Sequence, residues 1–130
     1  MAATMNADDF RRIALGLPDA VEGEHMAHPD FRIRKPGGLG KGKIFATLDA
    51  PEKGWGMVKL TPQQQRRLLK SHPGIFKPAS GAWGAAGATH VRLGRGGVNK
   101  KTLLAALLMA WCNTAPKKMV EELGNEPRKP

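Results

Sequence analysis

The sequence predicts an α+β fold: a single compact domain in which a twisted antiparallel β-sheet is packed on one face by N- and C-terminal helices. Three observations carry that prediction. First, Lys43 to Asp49 sets Ile44, Ala46 and Leu48 on one side at period two, with Phe45 and Thr47 on the other. Second, the turn formers of Asp49 to Gly54 are followed by another β-type run, with Trp55, Met57 and Lys59 facing away from Val58 and Leu60, so the two runs should pair as an antiparallel hairpin. Third, Thr61-Pro62-Gln63-Gln64 supplies an N-cap, a proline at the first helical position and a capping-box glutamine. Such a sequence satisfies free backbone N–H groups and presets φ for a helix. At 130 residues the chain can build one core but not two, and the domain is expected over 1–124 with a disordered tail over 125–130.

Ahead of the hairpin, Asn6 caps a first helix with Asp8 and Asp9 in its opening turn and Phe10, Ile13, Ala14 and Leu17 at helical spacing. Pro18 ends it. The segment Glu22 to Asp30 gathers His25, His28 and three carboxylates. Gly23 and Pro29 argue for irregular backbone there, and no further ligand is held in geometry, so a polar loop entering a strand is expected rather than a metal site. Phe31 to Arg34 alternates apolar and basic as a half-buried first strand would. Lys35 to Lys43, KPGGLGKGK, is read as a flexible basic loop. It lacks the glycine spacing and following helix of a phosphate-cradling P-loop.

After the hairpin, Pro62 to about Lys70 should turn Leu68 and Leu69 inward and Arg66, Arg67 and Lys70 outward. Ser71 to Ala88 is read as a long loop with Ile75, Phe76 and Trp83 as apolar anchors covering a sheet edge. Thr89 to Gly94 gives a last short strand, Val91 and Leu93 opposite His90 and Arg92. Asn99 caps the final long helix, whose buried stripe is predicted as Leu104, Leu107, Leu108 and Trp111, and Pro116 kinks or restarts it.

Charge is the strongest functional signal. Basic residues number 21 against 11 acidic ones, and from Lys53 to Val120 there are twelve Lys and Arg and no Asp or Glu. A positive field without local neutralisation attracts polyanions, and nucleic acid is the expected partner class, although a basic exterior also serves solubility alone. One cysteine, Cys112, excludes an intrachain disulfide and a multi-cysteine zinc site and fits a reducing compartment. The longest apolar run, Leu103 to Trp111, is too short to cross a bilayer, and no signal sequence is recognised, so a cytoplasmic location is expected.

The segments HPDFRI, KIFATL, WGMVKLTPQQ, WGAAGATHVRL and AWCNTAPKKM, in that order, resemble the small bacterial YjbR/MmcQ-like proteins from Asp8 to about Glu122. The resemblance implies a frataxin-like (CyaY-like) fold with helices on one face of an antiparallel sheet. It also implies a DNA-binding label, which comes from comparing the sheet and its hairpins with a double-wing motif, and it attaches no reaction. This chain departs from the family pattern in a longer, more basic loop from about Arg34 to Lys41. Iron handling of the frataxin kind is not expected, because the first helix offers only Asp8 and Asp9 beside Arg11 and Arg12.

No catalytic constellation emerges from Cys112, His25, His28, His72, His90 and the carboxylates, and Cys112 beside Trp111 reads as a small buried hydrophobe. The expected function is therefore non-enzymatic, with no cofactor and no metal: DNA, ahead of RNA, gripped through its phosphates by a monomer. The expected contacts are Arg32, Arg34, Lys35, Lys41 and Lys43 around the basic loop, and Lys59, Arg66, Arg67, Lys70, Arg92 and Arg95 from the acid-free region. The alternative is a protein-interaction or small-ligand module using the open face of the sheet, marked by a deep apolar pocket near Trp55, Trp83 and His90.

Overall fold

The structure, a computed structural model, describes residues 5–25, 27–34, 42–48 and 54–125. Six antiparallel strands form one sheet in the order β1-β2-β3-β4-β6-β5, with β1 at Ala20–His25, β2 at His28–Ile33, β3 at Lys43–Leu48, β4 at Trp55–Lys59, β5 at Phe76–Pro78 and β6 at Ala88–Arg92. The helices are α1 (Ala7–Leu15), α2 (Pro62–Ser71), α3 (Gly81–Ala85), α4 (Lys100–Thr114) and α5 (Lys117–Asn125). The predicted hairpin is β3–β4, with Ala46 opposite Val58, while the turn expected at 49–53 lies outside the described residues.

Helix starts follow the local chemistry. Thr61 Oγ1 accepts from the Gln64 N–H while Gln64 Oε1 accepts from the Thr61 N–H, and Asn6 and Asp9 make the same reciprocal pair on α1. Asn99 caps α4 through the Thr102 N–H. The helix restarts as α5 after Pro116, and α5 reaches Asn125, the first residue of the expected tail; 126–130 lie outside the described residues.

The core lies between one sheet face and the layer of α1, α2 and α4. Phe10 of α1 packs against Phe31 at 5.8 Å between ring centroids, and a Cβ at Gly56 would fall 2.5 Å from the Phe10 ring. Trp111 is fully buried, and its indole N–H donates to the Pro18 carbonyl at 2.9 Å, joining α4 to the end of α1.

Four sequence expectations change. Ala20–His25, expected to be irregular in its second half, is an edge strand paired with β2; Pro29 is tolerated because the β2–β3 ladder begins one residue later, at Asp30. Ser71 to Ala88 is not a plain loop but contains β5 and α3, both too short to show periodicity, with Pro78 on an edge strand where its missing N–H does least harm. The alternation in β3 breaks at a bulge: the register passes from Phe31–Ala46 to Arg32–Ile44, and the extra residue, Phe45, joins Ala46 in the core. Finally, the buried stripe of α4 is Leu103, Ala106, Leu107, Ala110 and Trp111, leaving Leu104 and Leu108 exposed. Leu, Ala and Met surround this helix so uniformly that its hydrophobic pattern barely defines a face.

Candidate nucleic-acid interface on the outer sheet face

Residues opposite one another in a sheet share a face, so the register defines the surface away from α1, α2 and α4. One row crosses all six strands: Gly23, Asp30, Thr47, Met57, His90 and Lys77. Two residues along the strands from this row stand Arg32, Trp55, Lys59, Ala88 and Arg92.

The β2 end of this surface is closed by an ion pair. Arg32 Nε and Nη2 donate to the fully buried Asp30 carboxylate at 2.7 and 2.8 Å, and the Arg32 side chain is only 15% exposed. The carboxylate holds the guanidinium above its ordinary pKa, mainly through the hydrogen bond. Gly23 makes room, since a Cβ there would sit 2.8 Å from Asp30 Oδ1 and 3.0 Å from Arg32 Nε. Arg32, expected to contact phosphate, is thus committed inside the protein.

The other end is basic and aromatic. Lys77 Nζ lies 4.2 Å from the centre of the Trp55 ring, and His90 meets the same indole edge-on at 6.5 Å. Burial, then the neighbouring Lys77 charge, push the His90 imidazole below its ordinary pKa, with the Gly56 backbone acting in the opposite direction. Its buried Nδ1 has no hydrogen-bond partner among the described residues. A second pair repeats the theme: Lys59 Nζ stands 5.2 Å from the centre of the Trp83 ring. Between them opens a concavity of about 330 Å³ lined by Lys59, Leu60, Ala82, Trp83, Ala86 and Ala88. Burial, reinforced by the charge of Lys43, lowers the Lys59 pKa. Trp83, expected to anchor a loop by burial, is 56% exposed.

The remaining predicted contacts do not join this surface. Arg66, Arg67 and Lys70 are exposed on α2, in the helical layer. Arg34 and Lys43 flank a separate hollow against Asn113 to Pro116, at the C-terminal end of α4. Arg95 is exposed in the turn after β6, close in sequence to Arg92, and Lys35 and Lys41 lie outside the described residues. The structure therefore brings together Lys59 and Arg92, adds Lys77, and sets the other bases elsewhere. Lys77 is not among the predicted contacts because Ser71 to Ala88 reads as loop; its place beside the aromatic residues emerges only once β5 pairs with β6 and sets Lys77 opposite His90. The pocket expected near Trp55, Trp83 and His90 together is lined by Trp83 alone of the three.

Charge divides along the sheet. Strands β4, β6 and β5 and helices α2, α3 and α4 contain no carboxylate, and the ion pairs among the described residues fall on α1, β1 and β2. As for chemistry, burial raises the Cys112 thiol pKa, which disfavours a thiolate. Among the described residues no three His, Cys, Asp or Glu side chains converge as a metal site, and no helix is long and apolar enough to cross a membrane.

Comparison with known proteins agrees with this architecture. Among solved structures, the fold is similar to the crystal structure of the Deinococcus radiodurans protein DR2400, of domain DUF419, with a TM-score of 0.71 at 21% identity, over 93% of this chain and 89% of that one. No curated protein matches in sequence. A model of the YjbR family matches residues 15–113, from the end of α1 nearly to the end of α4. That span holds the whole sheet, and the chain belongs to the YjbR family.

Proposed function

We propose that this protein is a non-enzymatic nucleic-acid-binding protein, with DNA as its leading partner, and that the phosphate-contacting surface is the outer face of β4, β6 and β5. The observation that supports it most is the repeated placement of a lysine over a tryptophan, Lys77 on Trp55 and Lys59 on Trp83, in the half of the fold that carries no carboxylate. Cations interleaved with aromatic rings on a sheet face suit a flexible polyanion whose bases stack and whose backbone is held by charge. Arg92 extends the surface by four residues beyond the Lys59 row, about 13 Å along the strands.

A fluorescence anisotropy titration of a labelled DNA oligonucleotide across a salt series tests this reading. Binding at low salt that weakens linearly in log salt is expected, with a slope near 0.7 to 0.9 per neutralised phosphate. Absence of low-salt affinity, or affinity indifferent to salt, contradicts it. A second reading, a small-ligand or protein-binding module, is favoured by one observation, the concavity beside Trp83.

A further inference from the structure

We propose that the concavity beside Trp83 is a nucleobase seat, so that the outer face takes a single strand in preference to a duplex; this deepens, and rests on, the nucleic-acid reading above. Among the described residues Trp83 is the most exposed of the large hydrophobic side chains, and it rides on a helix of only five residues. Its position is nevertheless fixed. The side-chain amide of Gln65, a residue only 7% exposed, donates to the Gly84 carbonyl at 3.0 Å, the Ala88 carbonyl at 3.0 Å and Thr89 Oγ1 at 3.1 Å. One buried amide thus ties the helix that bears the indole to the strand that forms the floor. Gly84 also packs so closely on the Ala79 carbonyl that a Cβ would overlap it. The hollow is therefore assembled before any ligand arrives, which removes part of the ordering cost of binding.

The lining defines the ligand. Leu60, Ala82, Ala86 and Ala88 give apolar contact, the exposed indole offers a ring for stacking, and Lys59, the one charged group of the lining, stands over that ring with Nζ 5.2 Å from its centre. A planar aromatic group attached to an anion uses all three features. The partly desolvated Lys59 is left without a carboxylate partner by the acid-free setting, and an anionic neighbour would offset the cost of its burial. An acidic peptide would engage the lysine but leave the indole face unused. Within a duplex, base faces are stacked on one another, so only an unpaired base can enter.

The test uses anisotropy with three DNA probes of equal length: an oligothymidylate, an abasic single strand and a duplex. Stacking of one base predicts that the oligothymidylate binds about 5- to 150-fold tighter than the abasic strand. Trp83→Ala, at an exposed site, should bring the oligothymidylate down to about the abasic level, losing far more affinity on that probe than on the abasic strand, with Trp83→Phe intermediate. Equal binding of oligothymidylate and abasic strand by the wild type overturns the seat, as does an equal loss on both probes in Trp83→Ala. In those cases salt-dependent binding of the probes leaves the phosphate-contact reading standing. No binding of any probe at low salt removes both.

Discussion

At the scale of single residues, Asp30 and Arg32 show how a plausible ligand contact becomes structural. An alternating strand with two arginines reads as a charged outer face, but Asp30 is fully buried and accepts from two of the three guanidinium nitrogens of Arg32, Nε and Nη2. Arg32→Ala should destabilise the fold by about 3 kcal/mol in urea denaturation, because a buried carboxylate loses its bidentate partner. The same variant should keep the wild-type salt slope for DNA. Gly23→Ala should weaken the fold through the same pair, by about 1 to 2 kcal/mol, since a methyl group there presses on Asp30 and Arg32 together. His90 predicts a pH dependence. Its folded pKa lies below the ordinary 6.5, so between those two values the unfolded chain binds more protons than the folded one. Stability is therefore full above 6.5 and falls as the pH drops towards the folded pKa. Denaturation midpoints from about pH 7.5 to about pH 5 should fall more in the wild type than in His90→Gln.

At the scale of elements, the sequence was legible where local chemistry decides and obscure where tertiary contacts do. Thr61, Pro62 and Gln64 announce α2, and Asn6 and Asn99 announce α1 and α4, because caps are short-range devices. The register of α4 was not legible: a helix with leucines at 103, 104, 107 and 108 presents two candidate stripes, and only packing on β3 and β4 chooses between them. Leu107→Ala should accordingly cost about 3 kcal/mol and Leu104→Ala less than about 0.5 kcal/mol, compared by chemical denaturation. Strand β5 and helix α3 were hidden by their brevity, and with them went Lys77 and the true setting of Trp83. Gln65 carried no warning either, since a glutamine on a basic helix reads as surface until its three acceptors are seen. Removing that amide in Gln65→Ala takes a second donor from the Gly84 and Ala88 carbonyls, which keep the N–H groups of Gly87 and Ala79, and unties α3 from β6, so it should destabilise by about 1 kcal/mol.

At the scale of the whole molecule, strand order turns a lopsided sequence into a lopsided surface. Carboxylates precede β4 in the chain or follow α4, and the sheet order sets β1 and β2 at one edge and β6 and β5 at the other. The acid-free stretch visible in the sequence thus becomes strands β4, β6 and β5 with helices α2, α3 and α4. What the sequence did not reveal is that its bases part between two layers, Lys59, Lys77 and Arg92 on the outer face and Arg66, Arg67 and Lys70 on α2. These two sets carry the same charge. General attraction of a basic protein for a polyanion treats them alike, whereas a defined interface does not.

The most direct measurement is therefore the salt dependence of single-stranded DNA binding by two triple variants, Lys59→Gln/Lys77→Gln/Arg92→Gln and Arg66→Gln/Arg67→Gln/Lys70→Gln. The account predicts that the outer-face variant lowers the slope by about two, at roughly 0.7 per lost phosphate contact, while the α2 variant lowers it by less than about 0.5. Equal losses from the two variants, or a larger loss from the α2 variant, would contradict it.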